Sequence, residues 1–108
     1  DLILQNSNKI ELTEHLFDKD ALIFPNVKSN YVILNEKKAG KHIRITFGDS
    51  PFLAIWAKPA APFVCIEPWY GVNDSYEKAT DFSKKRGIQK LSSGKEFEFS
   101  WSAEFKED

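Results

Sequence analysis

The sequence predicts an all-β fold, an antiparallel β-sandwich or barrel, on three observations. Apolar and polar residues alternate with a period of two along most of the chain, turn-forming clusters interrupt the alternation, and aromatics crowd its apolar phase. Five or six strands of this kind fit in 108 residues, one domain's worth and too little for two.

Helix signals are confined to the first quarter, where Thr13-Glu14-His15-Leu16-Phe17 reads as a turn or short helix before Asp18-Lys19-Asp20. Tyr31 to Asn35 is a short apolar run, and the polar link from Glu36 to Lys41, with Gly40, reads as a hairpin connection. In His42 to Phe47, the residues Ile43, Ile45 and Phe47 share one face while His42, Arg44 and Thr46 share the other, the mark of a half-buried strand. Gly48-Asp49-Ser50-Pro51 is a turn cluster. Phe52 to Lys58 follows with apolar residues on both faces, which predicts a central strand.

Pro59-Ala60-Ala61-Pro62 has no donor at either proline and reads as a connection into the next strand, Phe63 to Glu67. Gly71 to Arg86 lacks a sustained period and predicts a long surface loop with at most one helical turn. Ile88 to Leu91 is a short strand candidate, and Ser92-Ser93-Gly94 a turn. The last strand is the clearest: Phe97, Phe99, Trp101, Ala103 and Phe105 on one face, Glu96, Glu98, Ser100, Ser102 and Glu104 on the other. Its apolar face asks for a partner sheet.

Composition narrows the function. The 15 basic and 16 acidic residues nearly cancel and form no block of one sign, which argues against nucleic acid and anionic membrane as partners. No apolar run approaches the ~20 residues of a membrane span. The single cysteine, Cys65, has no partner for an internal disulfide, so a reducing, cytoplasmic setting is expected. Its place within a strand is that of a small buried hydrophobe. His15, His42 and Cys65 show no metal-ligand spacing and the five glycines form no phosphate-binding cluster, so neither metal nor cofactor is expected. The chain has no methionine and opens on Asp1-Leu2-Ile3-Leu4, which reads as a piece of something longer.

Glu67 is the residue that most needs a function. It ends the apolar run Phe63-Val64-Cys65-Ile66 and is followed by Pro68-Trp69-Tyr70-Gly71, so an ionisable group stands at the mouth of a strand among aromatics. Alternation puts it on a face with Phe63 and Cys65, with Trp56 expected on a neighbouring strand. Aromatic faces beside a carboxylate suit a sugar, whose C–H face packs on a ring while its hydroxyls donate to the acid. A strand-end glutamate with ordinary core aromatics is the equal alternative. Lys58 and Arg44 would suit a phosphate, though a solvated face is their simpler reading.

The run Pro51 to Pro59, with Phe63-Val64-Cys65-Ile66-Glu67-Pro68-Trp69-Tyr70-Gly71 and Asn73-Asp74-Ser75 after it, resembles the C-terminal part of the aldose 1-epimerase (galactose mutarotase) family, nearest its bacterial LacX-type branch. Leu16 to Phe24 and Val27-Lys28-Ser29 are similar to that branch as well. The resemblance implies a large β-sandwich of the mutarotase supersandwich type, with residues 1–108 as the C-terminal portion of one domain and the missing N-terminal portion as its partner. It implies an isomerase that interconverts the α and β anomers of free aldoses. The glutamate at the position of Glu67 would be the general base, taking the anomeric hydroxyl's proton while a histidine donates to the ring oxygen. His15 and His42 match neither family histidine. Asp20 resembles a family aspartate that binds sugar hydroxyls, and Trp69 is either pocket wall or packing. A non-catalytic carbohydrate-binding sandwich is the alternative function.

Overall fold

The computed structural model describes residues 8–38, 40–73 and 81–107. Six strands form two antiparallel three-stranded sheets. The first sheet has the order β1-β4-β5, from Leu22–Pro25, Phe52–Trp56 and Cys65–Trp69; the second has the order β2-β3-β6, from Tyr31–Asn35, Lys41–Thr46 and Ser102–Glu107. The only regular helix among the described residues is a 3₁₀ turn, Phe82–Lys84. The all-β antiparallel fold expected from the alternation is therefore the one found.

The β4 strand is central, as its two apolar faces demand. It pairs with β1 through Leu22↔Ile55 to Pro25↔Phe52 and with β5 through Phe52↔Trp69 to Trp56↔Cys65. Phe52, Leu53 and Ala54 are buried, as is Ala57 just beyond the strand, so most of the core sits here, with Phe17 and Phe47 added from the flanking segments. Pro25 and Pro68 both lie in edge strands, where a missing N–H can face outward.

The β2–β3 hairpin closes through the Glu36 N–H donating to the Lys41 carbonyl at 2.9 Å, and Gly40 supplies the left-handed turn residue at φ 67°. Its register, Val32↔Ile45 and Leu34↔Ile43, continues into β6 as Ile45↔Ala103 and Ile43↔Phe105. These six side chains make one apolar face. It is poorly covered, for Phe105 is 75% exposed.

Thr13 to Phe17 forms successive turns, with Leu16 N–H on the Thr13 carbonyl and Asp18 N–H on the His15 carbonyl, one of the two forms expected there. The structure departs from the sequence expectations at four places. Leu22–Pro25 is a strand that its short length and terminal proline conceal. Phe63 and Val64 remain outside β5, which starts at Cys65 and runs on through Pro68 to Trp69. Ile88 to Leu91 is not a strand, and the last strand forms only from Ser102, because β3 is just long enough to pair Ser102 to Glu107. Upstream of that point Phe97 and Phe99 instead pack edge-on against Tyr70, with ring centroids 5.1 and 5.7 Å away. Part of the expected loop, residues 74–80 with Asp74 and Ser75, lies outside the described residues.

Candidate functional site

Strand pairing fixes which side chains stand beside Glu67. Residues directly opposite in an antiparallel pair share a face, and so do alternate residues along a strand. Ala54↔Glu67, Phe52↔Trp69 and Trp56↔Cys65 therefore place Cys65, Glu67 and Trp69 of β5 on one face with Phe52, Ala54 and Trp56 of β4. Glu67 is exposed, whereas Cys65 and Trp69 are half-buried and Ala54 is fully buried. Ala54, opposite Glu67, is wholly covered, and along this face the rings of Phe52 and Trp69 lie toward one end and Trp56 toward the other. Trp56 is in turn met edge-on by Phe63, 6.0 Å between centroids.

The Trp69 end of this face is fastened on two sides. The Tyr70 hydroxyl donates to Asp49 Oδ1 at 2.9 Å, tying the end of β5 to the turn that leads into β4. That carboxylate pushes the Tyr70 hydroxyl above its ordinary value, mainly through the hydrogen bond, with slight burial and charge adding to it. From the other side comes the segment 81–88. Its 3₁₀ turn is capped by Asp81, whose Oδ1 accepts from the Ser83 backbone N–H at 2.9 Å and from the Ser83 hydroxyl at 2.7 Å, and these bonds hold the Asp81 carboxyl below the usual range. Gly87 then passes over the Tyr70–Gly71 backbone at φ +79°, where an added Cβ would overlap the Tyr70 carbonyl oxygen. The preceding Arg86 lays its guanidinium 5.0 Å from the centroid of the Phe52 ring.

Of the residues singled out in the sequence, the structure brings Glu67 and Trp69 together on one face, with Trp56 on the adjoining strand. Asp20 is set apart from them. It precedes β1, which pairs with the opposite edge of β4, so two strand spacings, roughly 10 Å, separate it from β5. Asp20 holds φ 101°, a conformation that side chains rarely adopt, and its Oδ1 accepts from the Ala21 N–H at 2.7 Å. His15 pairs with Asp18 at 2.9 Å, and His42 lies on β3 in the other sheet. Arg44, also on β3, stacks its guanidinium 3.9 Å from the Tyr31 ring, whereas Lys58 follows β4, so the two cations are not gathered on one sheet.

Neither Arg86 nor Ala54 stands out in the sequence. Ala54 was legible only through its pairing with Glu67, and Arg86 only through the turn glycine that follows it. A groove of about 630 Å³ lies elsewhere, at the end of the second sheet, where Leu34, Ile43 and Phe105 form its apolar part and His42, Lys106 and Glu107 its polar rim. None of the Glu67 face lines it. Among the described residues no cluster of three or more His, Cys, Asp or Glu is placed to hold a metal ion, and no helix is long and apolar enough to cross a membrane.

No protein-family model matches the chain, and no solved structure matches it. Two curated proteins do: the plasmid and the chromosomal forms of Protein LacX from Lactococcus lactis subsp. lactis, each 34% identical over 89 residues. The matched stretch is 82% of this chain and 30% of the relative, so the chain spans about a third of the length of the curated relatives it matches. Over most of its own length, then, this chain is similar to LacX.

Proposed function

We propose that the chain is the C-terminal portion of an aldose 1-epimerase-like domain and that Glu67 is its general base. The observation that carries the reading is the face itself: an exposed carboxylate on a strand, opposite a buried alanine, between tryptophan and phenylalanine rings. The similarity to LacX and the resemblance of the segment around Glu67 to the mutarotases support it.

In this reading a pyranose stands against the exposed Glu67 carboxylate with its apolar face on Trp69 or Trp56. Its anomeric hydroxyl donates to a carboxylate oxygen of Glu67, which removes the proton as the bond between C1 and the ring oxygen breaks. The open-chain aldehyde rotates about C1–C2, and reclosure with return of the proton gives the other anomer. A proton must meanwhile reach the ring oxygen. His42 lies on β3 of the other sheet and His15 pairs with Asp18, and in this reading the acid is a histidine of the N-terminal portion of the domain.

The exposure of the chain supports the same assembly. Phe97, Phe99, Trp101 and Phe105 are each between 46% and 75% exposed. A further sheet from the N-terminal portion is the natural cover.

Non-catalytic carbohydrate binding is the second reading, favoured by the neighbours of Glu67 along β5 and across on β4, none of which is a histidine. Polarimetry of freshly dissolved α-galactose with the full-length polypeptide separates the two. Accelerated mutarotation that Glu67→Gln abolishes, with sugar binding retained, supports catalysis; no acceleration by the unmodified protein supports binding alone.

A further inference from the structure

The guanidinium of Arg86 stands on the same face as Glu67. It lies over Phe52, the cross-strand partner of Trp69, and Trp69 is two residues along β5 from Glu67. Arg86 is exposed, and among the described residues neither a carboxylate nor a hydrogen bond engages it beyond the ring beneath. Its position is nonetheless built. The Asp81-capped turn, the Ile88 N–H on the Lys85 carbonyl at 3.1 Å and the close approach of Gly87 to Tyr70 leave the loop little choice of where to present it.

We propose that Arg86 is a substrate-binding residue that donates to hydroxyl oxygens at the non-anomeric end of the aldose whose anomeric hydroxyl meets Glu67. The proposal rests on the reading of Glu67 as base. Carboxylate oxygens accept and the five guanidinium N–H groups only donate, while sugar hydroxyls do both. A sugar between them is directed: the hydroxyl that must lose its proton goes to Glu67, and hydroxyls that serve as acceptors go to Arg86. The levels of Glu67 and of the Phe52–Trp69 pair are two residues, roughly 6.7 Å, apart along the strands, a span of the order of one pyranose ring. The planar fork suits two neighbouring hydroxyl oxygens, which a lysine in its place would not match.

The test uses the full-length polypeptide with α-galactose, in steady-state polarimetry and in saturation-transfer NMR of sugar binding. Arg86→Ala should raise KM and weaken binding about tenfold or more, as loss of a hydrogen bond from a charged donor does, with kcat and its pH profile unchanged. Arg86→Lys should recover only part of the affinity. Unchanged KM and unchanged binding in Arg86→Ala overturn the proposal, and so does a fall in kcat with KM unaltered. Glu67→Gln is measured in parallel: loss of turnover there with normal sugar affinity in Arg86→Ala sinks the Arg86 assignment alone. Full turnover in Glu67→Gln sinks the base assignment, and the binding measurement then still decides Arg86.

Discussion

Gly87 is where a single methyl group would disturb the loop that carries Arg86. At φ +79° an alanine pays the left-handed backbone cost, about 1–2 kcal/mol. Its Cβ would also overlap the Tyr70 carbonyl oxygen and lie 3.1 Å from Phe52 Cε2 and 3.2 Å from Gly71 Cα. Two of these three neighbours are backbone atoms of the chain leaving β5 and cannot rotate away, so overpacking adds about 1–3 kcal/mol. Gly87→Ala should therefore destabilise by about 2–5 kcal/mol if the loop stays in place. Urea unfolding of the full-length polypeptide reads this as a lower midpoint at unchanged slope. A loss below about 0.5 kcal/mol, the range of an unremarkable surface change, refutes the claim that Gly87 is pinned against Tyr70.

Three further results follow from the same structure. Because Asp49 raises the Tyr70 hydroxyl above its ordinary value of 10.0, the stability that this bond contributes is complete below that pH and disappears as pH rises through the elevated folded value. Asp49→Asn should bring the Tyr70 titration, followed by tyrosinate absorbance, back down, and an unmoved midpoint would contradict the bond. Leu53, 2% exposed in the central strand, should cost about 2–5 kcal/mol as Leu53→Ala in denaturant melts, and a change under about 1 kcal/mol would mean β4 is not the core. Arg44→Ala should cost only about 0.5–1 kcal/mol, the worth of an exposed cation over the Tyr31 ring.

The strands that the sequence shows best are those whose two faces differ, or whose faces are both apolar and bounded by turns. Tyr31–Asn35, Lys41–Thr46 and Phe52–Trp56 are of this kind, and each is found within a residue or two of its expected ends. Leu22–Pro25 was hidden because four residues ending in proline carry too little pattern, and it is a strand only because β4 offers an edge. The long alternation ending at Phe105 misled in the other direction. Periodicity states which side chains would share a face, not how far a neighbouring strand extends, and β3 reaches only Ser102. The candidate face shows the same division. That Glu67 and Trp69 share a side follows from one short alternating segment, whereas Arg86 reaches the Phe52 ring through a turn whose geometry no alternation encodes.

The most direct test of the central claim is polarimetry of the full-length polypeptide and its Glu67→Gln variant with freshly dissolved α-galactose, after circular dichroism has shown both folded. The general-base reading predicts faster mutarotation with the unmodified protein and only the spontaneous rate with the variant, while sugar binding persists. Acceleration that survives the substitution would contradict it.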